Sequence, residues 1–507
     1  MGALKKLSKE QKAQLKKLGK SLEQTQRHLN QIVQGIRVHS KVQAATVENG
    51  GIKVLTHQDK VDSQNLFNAH KGGFIWTKFV PASGAASRMF SEVFQYLDQQ
   101  SNPGFILDDY LEKYPSFELF AKNLNSLAFY SSIDQYLNKK YTSFALNTPQ
   151  KYLTEFCDTL VHNKRVGFSH LPKGLIPFFK TEHQSYTPFQ AHILESVNLF
   201  GIENKSNLHF TIDERFKPRF QSLIPLLNQN IKINFSSQCP STDTPVMSLD
   251  NHWLTDEKGD LHFRKGGHGA LLKNLNAIDS DFVLIKNIDN ILVDNHNEAV
   301  IQWLKVLCGT LMKIKSEIDA SLLDLDQKGD AETINRIIKL IRLHFDPQFD
   351  IESHSLESKQ RFLEQYLNKP LRVCAMIKSS KSAGGGPFWH HSSDRSSVQI
   401  FEEIEFQKHN QEHQQEASKT QFINPVLIAC SIKDRFGKAF DLEKFSNPNR
   451  YMIVHKTMGN QQIKAIEWPG LWNGGMADWN SVFIDVPKDV FRPVKKVHDL
   501  IHRKAQN

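Results

Sequence analysis

The chain has 507 residues, 39% hydrophobic and 23% charged, a balance that excludes a disordered or fibrous protein and leaves room for several domains. Its 63 basic and 54 acidic residues give a net charge of +9, and seven lysines fall within the first twenty residues, so much of the excess is local. Such a balance suits a protein that handles polyphosphates and would also suit weak nucleic-acid binding, though no nucleic-acid partner is expected.

The five cysteines (Cys157, Cys239, Cys308, Cys374 and Cys430) are scattered, with no CxxC pair. That argues against a disulfide framework or a cysteine zinc site and for a reducing compartment. MGALKKLSKEQ lacks the apolar core of a signal peptide, and no run approaches eighteen apolar residues, so a cytoplasmic protein without membrane insertion is expected.

In chain order, the leucines between residues 4 and 35 repeat at helical spacing, with Ser8–Gln11 and Ser21–Gln24 as candidate caps. The lysine-rich face reads as solvated. From residue 73, GFIWTKFVPASG reads as a strand ending in a small-residue turn, and AASRMFSEVFQYLDQ as the following helix, the opening unit of an α/β domain. Residues 104–162 are helical and aromatic-rich and look like an insertion. Strands LHFTID, IKINFS and DFVLIKNID then alternate with helical TPFQAHILESVNLF and RFQSLIPLL, and a charged helical stretch follows at 298–345. After LRVCAMIK the pattern is mostly β, with PVLIAC, YMIVHK, IKAIEW and NSVFIDV. Residues 407–420, almost without apolar side chains, read as an exposed loop.

Four motifs could carry chemistry. In the run Pro81–Met89, the turn Ala82-Ser83-Gly84 lets backbone N–H groups approach phosphates, and Arg88, three to four residues into the helix, offers a planar fork for a triphosphate. A structural turn with a surface arginine fits that run equally well. Lys173, in LPKGLIP, could set a point charge on a phosphate, though an exposed turn lysine is the simpler account. The third is the densest: Gln238 in FSSQCP, Gly267, His268 and Gly269 in KGGHG, and Asp289 in KNIDN just past a strand end. There a carboxylate can hold Mg²⁺, or merely cap a turn. The fourth is FRPVKKVHDL, whose Lys495 is a phosphate ligand or surface charge.

Together these blocks resemble the signatures of sugar nucleotidyltransferases. VPASGAASRM stands where that family carries its glycine-rich loop, and PKGLIPF is similar to its second signature. FSSQCP, KGGHGA, KNIDN, VQIFEEIEF and FRPVKKVHDL resemble, in order, blocks of UDP-sugar pyrophosphorylases. At finer grain, GGGPF and PGLWNGGMADWN resemble a bacterial domain-of-unknown-function family (4301) related to those enzymes.

The resemblance implies an α/β nucleotide-diphospho-sugar transferase core (GT-A-like, Rossmann-like) with a mixed, mostly parallel sheet. It implies a helical N-terminal extension at 1–45 and a nucleotidyltransferase core at 46–405, the core holding helical segments at about 104–162 and 298–368. A mostly β region at 406–507 would complete the sugar and phosphate site.

The implied roles are Arg88, Lys173 and Lys495 on phosphates, and Ala82, Ser83, Gly84, Gln238, Gly267, His268 and Gly269 on the nucleotide. Glu402 and Asn424 would bind the sugar and Asp289 would bind Mg²⁺. The implied reaction joins a nucleoside triphosphate, UTP, to a sugar 1-phosphate and releases pyrophosphate. The alternative is a non-catalytic nucleotide-sugar-binding or regulatory protein on the same fold, since Ala82-Ser83 replace the family's Gly-Gly and Ala85-Ala86 a Gly-Thr.

His409-Asn-Gln-Glu412-His413 matches a zinc-peptidase pattern but lacks an apolar face to fix the histidines, and reads as accidental. The segment Trp389–Asp394 reads as a hydrogen-bonding loop beside the sugar pocket, and Gly384–Gly386 as a phosphate cradle or a hinge.

Overall fold

Short-range signals start the chain's elements. Ser8 caps the helix Lys9–Lys17 in a reciprocal box with Gln11, and the turn beyond it passes through Gly19 at φ +64°. Ser21 accepts from the Gln24 N–H and opens the helix Leu22–Gln34, on which Leu29 and Ile32 pack with Met247 and Ile466. The computed structural model describes residues 7–36, 41–141, 148–181, 184–201, 206–224, 231–293, 296–351, 355–379, 385–392, 395–406, 410–459 and 461–501.

The chain divides into two compact units, one from Met1–Phe79, Ser236–Ile285 and Leu304–Lys488, the other from Val80–Phe235, Lys286–Trp303 and Asp489–Asn507. The first unit holds a mixed sheet. Its strands run Phe422–Ile423, Leu371–Lys378, Leu427–Ser431, Phe282–Lys286, Trp76–Pro81. Trp76–Pro81 pairs parallel with Phe282–Lys286, and Leu371–Lys378 pairs parallel with Asn480–Asp485 but antiparallel with Leu427–Ser431. Continuous apolar runs such as FVLIK and LRVCAMIK fit strands buried on both faces.

Arg372 crosses this core fully buried. It donates to Ser481 Oγ at 2.8 Å, the Trp472 carbonyl at 2.5 Å and Gln399 Oε1 at 3.1 Å. Two smaller sheets complete the unit. One sets Lys41–Ala44 beside the hairpin Gly386–His391 and Ser396–Phe401, and the other runs Met452–Met458, Gln461–Glu467, Thr244–Ser248, Phe263–Arg264.

The second unit is built on an aromatic core of Tyr96, Phe117, Phe120, Phe156, Phe189 and Phe210, to which the C-terminal segment adds Val494, Val497 and Leu500. Its helices include Leu107–Lys113, Pro115–Lys122, Tyr130–Lys140 and Pro149–His162. Pro188–Phe200 starts from a Thr187–Gln190 capping box. Strands Ser206–Thr211 and Lys232–Ser236 lie side by side.

The structure corrects several expectations. The polar stretch at 407–420 contains a helix, Gln411–Lys419. Asn410 caps it, His413 is buried against the Phe406 ring at 5.3 Å, and Glu416 accepts from the Ala44 N–H at 2.9 Å. One buried imidazole and two hydrogen bonds, rather than an apolar stripe, fix it. Residues 390 and 391 lie in a strand rather than a loop, because their backbones pair across the hairpin with Ser397 and Ser396. His409, Gly384 and Asp394 lie outside the described residues. All five cysteines are free, and four are buried. Among the described residues no helix is long and apolar enough to cross a membrane.

The close approach of two helices of the first unit gives a stability test. A Cβ on Gly309, in the helix His296–Gln327, would lie 1.8 Å from the Ser63 carbonyl oxygen in His57–His70. Gly309→Ala should add about 1 kcal/mol of helix propensity yet lose more by forcing the helices apart. The expected net destabilisation is about 1–3 kcal/mol. Calorimetry of the two proteins checks this, and a higher Tm in the variant would show that the contact yields freely.

Candidate functional site

In the second unit, four stretches of chain meet. The turn after Pro81 is held at its ends, the Ala82 N–H bonding to the Thr211 carbonyl at 2.8 Å and the Ala86 N–H to the Leu171 carbonyl at 3.1 Å. Between them the N–H groups of Ser83, Gly84 and Ala85 donate to no described residue, and the space beside Gly84 is open. The Gly84 carbonyl accepts from the Lys173 N–H at 3.3 Å, which joins the first motif to the second.

The Lys173 ammonium then reaches two further motifs, donating to Asp289 Oδ2 at 2.7 Å and to the Val494 carbonyl at 2.6 Å. The Val494 N–H returns a bond to the Asp289 carbonyl at 3.1 Å, and the Arg492 N–H bonds Asn290 Oδ1 at 3.2 Å. Lys173 and Asp289 are largely buried. Lys495 is exposed, its Nζ 3.9 Å from Asp289 Oδ2.

The Asp289 turn is anchored from behind. Lys286, three residues earlier, forms a fully buried pair with Glu195 at 2.6 Å, and the His192 imidazole lies 3.3 Å from the Ile288 carbonyl. Burial pushes the Lys286 ammonium below its ordinary value, and Glu195 opposes that shift. Arg88 sits in the 3₁₀ turn Ser87–Phe90, ahead of the α-helix Ser91–Gln99 rather than inside it. Its side chain is exposed and has no ion pair among the described residues.

Whether these residues suit Mg²⁺ turns on the donor set. Among the described residues no group of three or more His, Cys, Asp or Glu side chains could hold a metal. Asp289 stands alone, with Oδ2 taken by Lys173 and Oδ1 bonded to no described residue. One free carboxylate oxygen fits an ion whose other ligands are water and substrate phosphates, the usual habit of Mg²⁺. It does not make a resident metal site.

In the first unit, the KGGHG glycines are packed rather than bare. A Cβ on Gly267 would meet Glu467 Oε2 at 2.5 Å, and one on Gly269 the Pro469 carbonyl oxygen at 2.1 Å. Their missing side chains admit the Glu467–Pro469 turn. The Gln238 amide likewise stays with its own loop, 3.2 Å from Thr242 Oγ1 and 3.3 Å from Asp243 Oδ1.

His268 faces Glu402. The Leu471 N–H donates to Nδ1 at 3.2 Å, so the ring proton sits on Nε2, 3.6 Å from Glu402 Oε1, and the ring stacks on Trp472 at 4.4 Å. Asn473 Nδ2 donates to the same carboxylate at 2.9 Å. Burial alone would raise the Glu402 carboxyl. His268, Asn473 and the charge of Arg450 outweigh it and hold the group below the ordinary glutamate range. Gly385 brings Asn424 to the same place: its carbonyl accepts from the Asn424 N–H at 3.1 Å, and the Cβ it lacks would sit 3.3 Å from Glu402 Cγ. Asn424 Oδ1 holds its own turn through the Val426 N–H, while its buried Nδ2 has no partner among the described residues.

Sequence reasoning missed Trp472 and Asn473, which lie in PGLWNGGMADWN. That block's clustered tryptophans and asparagines were the available signal. Nothing local marked the Val494 carbonyl.

The profile of a family described as "Domain of unknown function (DUF4301)" matches residues 8–506. No curated protein matches the chain. Among solved structures, the uridine diphosphate N-acetylglucosamine pyrophosphorylase from Trypanosoma brucei is similar at 12% identity and TM-score 0.47, over 96% of this chain and 76% of that one. The UDP-glucose phosphorylase from the same organism gives 15% identity and TM-score 0.33, over 65% and 60%. The UDP-glucose pyrophosphorylase from Leishmania major gives 13% and 0.34, over 66% and 61%. This chain thus spans about three-fifths of the last two. At these scores the likeness is partial, and the mixed α/β description rests on the strand pairing itself.

Glu402 generates a pH test. A carboxyl with a depressed folded-state pKa adds stability above its unfolded value and loses it as pH falls through the folded one. Glu402→Gln should lower stability at pH 7 by about 1.5–3 kcal/mol, the range for hydrogen bonds to charged groups. The gap to wild type should close as pH falls below the carboxylate range. Melting curves between pH 7 and 3 check this, and a gap independent of pH would rule out the charge as its source.

Proposed function

This chain belongs to the DUF4301 family, and we propose that it is a nucleotidyltransferase forming a nucleoside-diphosphate sugar, a UDP-sugar, and pyrophosphate from a nucleoside triphosphate and a sugar 1-phosphate. The observation that carries this reading is the meeting of four separate motifs at one lysine, with Lys173 joined to Gly84 through its backbone and to Asp289 and Val494 through its side chain. Three unspent N–H groups, the exposed Arg88 and Lys495, and a single open carboxylate oxygen suit a polyphosphate more than any acyl or glycosyl chemistry.

In this mechanism a sugar 1-phosphate oxygen, already ionised, attacks the α-phosphorus of UTP in line. The bond to the bridging oxygen of the β-phosphate breaks and pyrophosphate leaves with that electron pair. No protein nucleophile or general base is required. The Ser83–Ala85 N–H groups and Arg88 hold the triphosphate, and Lys173 and Lys495 offset charge at the reacting phosphates. Mg²⁺ arriving on the triphosphate would take Asp289 as its protein ligand and neutralise phosphate charge.

A second reading is a nucleotide-sugar-binding protein without turnover. It draws support from the Lys173–Asp289 pair, a charge-balanced contact that needs no metal.

The test is pyrophosphate release with Mg²⁺, each of the four nucleoside triphosphates and a panel of sugar 1-phosphates. Asp289→Ala and Lys495→Ala should each lower kcat by about 10²–10³ while leaving the fold intact by circular dichroism. Near-normal turnover in either variant would remove that residue from the mechanism. Binding of a UDP-sugar with no release from any pair would favour the second reading.

A further inference from the structure

The helix Leu22–Gln34 carries a polar stripe that borders a cavity, with His28 and Gln31 buried and Arg27 exposed at its rim. Gln24, Arg27, His28 and Gln31, at spacings of three and four, line one wall of this cavity, which holds about 250 Å³ in the first unit. Its other walls come from Ala270 and Leu272, from Trp468 and Pro469, and from Glu443. That is many times the ~10–15 Å³ that a single water requires, which leaves room for one small molecule.

His28 is the informative residue. It is only 6% exposed, and neither ring nitrogen has a hydrogen-bond partner among the described residues. The ring meets Trp468 edge to face at 5.1 Å. Burial first, then the charges of Arg27 and Lys20, pushes its pKa down to about 4, so at neutral pH it offers one donor and one acceptor. Arg27 and Lys273, both exposed, have no ion pair among the described residues, and the carboxylates of Glu443 and Glu467 have none either. The cavity therefore joins a neutral imidazole and an indole, which suit a planar hydrogen-bonding ring, to two cations and two carboxylates without ion pairs among the described residues, Lys273 touching only Ser241 Oγ at 3.5 Å.

We propose that this cavity is a second small-molecule site, for a nucleoside monophosphate, with the base against His28 and Trp468, the phosphate on Arg27 and Lys273, and ribose hydroxyls on Glu443 and Glu467. Of the residues assigned above to the nucleotide substrate, only Gly269 reaches its wall. The inference goes beyond the proposed reaction and stands without it.

Isothermal titration of the full chain with UMP, AMP and inorganic phosphate, each alone, tests it. One of the two nucleotides should bind one to one with Kd below ~1 mM, and more tightly than phosphate. Arg27→Ala and His28→Phe should each weaken that binding at least about tenfold, whereas Asp289→Ala and Glu402→Gln should leave it unchanged. Arg27 is exposed, so its variant keeps the test valid if His28→Phe fails to fold.

No binding of either nucleotide would overturn the proposal. Phosphate binding as tightly as the nucleotide would remove the ring from it. Loss of binding in the Asp289 or Glu402 variant, with Arg27→Ala unaffected, would move the ligand to the substrate site. Nucleotide binding sensitive to Arg27, with no pyrophosphate release from any substrate pair, would uphold this site while the reaction reading fails.

Discussion

The candidate phosphate site depends on a single ammonium. Lys173 satisfies the Asp289 carboxylate and the Val494 carbonyl together, and its own N–H ties it to the Gly84 turn. A carboxylate as buried as Asp289 costs free energy unless paired and hydrogen-bonded. Removing Lys173 would therefore leave that carboxylate with only the exposed Lys495 ammonium, 3.9 Å away, where three segments converge. The Lys286–Glu195 pair repeats that logic behind the turn, with both charges fully buried and matched.

The first unit solves the same problem with arginines. Arg372 distributes its guanidinium over a serine, a carbonyl and an amide. Arg450 pairs with buried Glu405 at 2.8 Å and lies 3.6 Å from the Phe401 ring centroid. Planar forks of this kind can hold several partners at once, which suits places where strands, a hairpin and a loop must keep register. Around them the glycines of KGGHG and of the 470–475 turn leave space that neighbouring backbone and side-chain atoms fill. A glycine cluster thus has two physical uses: Gly84 leaves open space, while Gly267 and Gly269 make room for the protein's own chain.

Much of the fold was legible locally. Ser8, Ser21 and Thr187 cap helices through the residues three positions on. FVLIK and LRVCAMIK form strands because β-branched and apolar runs bury on both faces. The Gln411–Lys419 helix was not legible, since a cap, one imidazole and Glu416 fix it instead of an apolar stripe. The cavity-lining polar stripe of Leu22–Gln34 has the same origin. Helical spacing says which residues share a face, and only the packing partner says whether that face meets water.

By itself the sequence determined the α/β alternation, the capped helix starts and the residue types able to meet phosphate: the small-residue turn, the lysines and the carboxylate beyond a strand end. Those follow from backbone propensity and side-chain chemistry, which act within a few residues. Tertiary structure decided which of them meet. It joined Lys173 to Asp289, closed the Gln238 amide into its own loop, set His268 and Asn473 on Glu402, and left His28 facing a cavity. Those outcomes depend on burial and on long-range hydrogen-bond partners, and spacing along the chain carries neither.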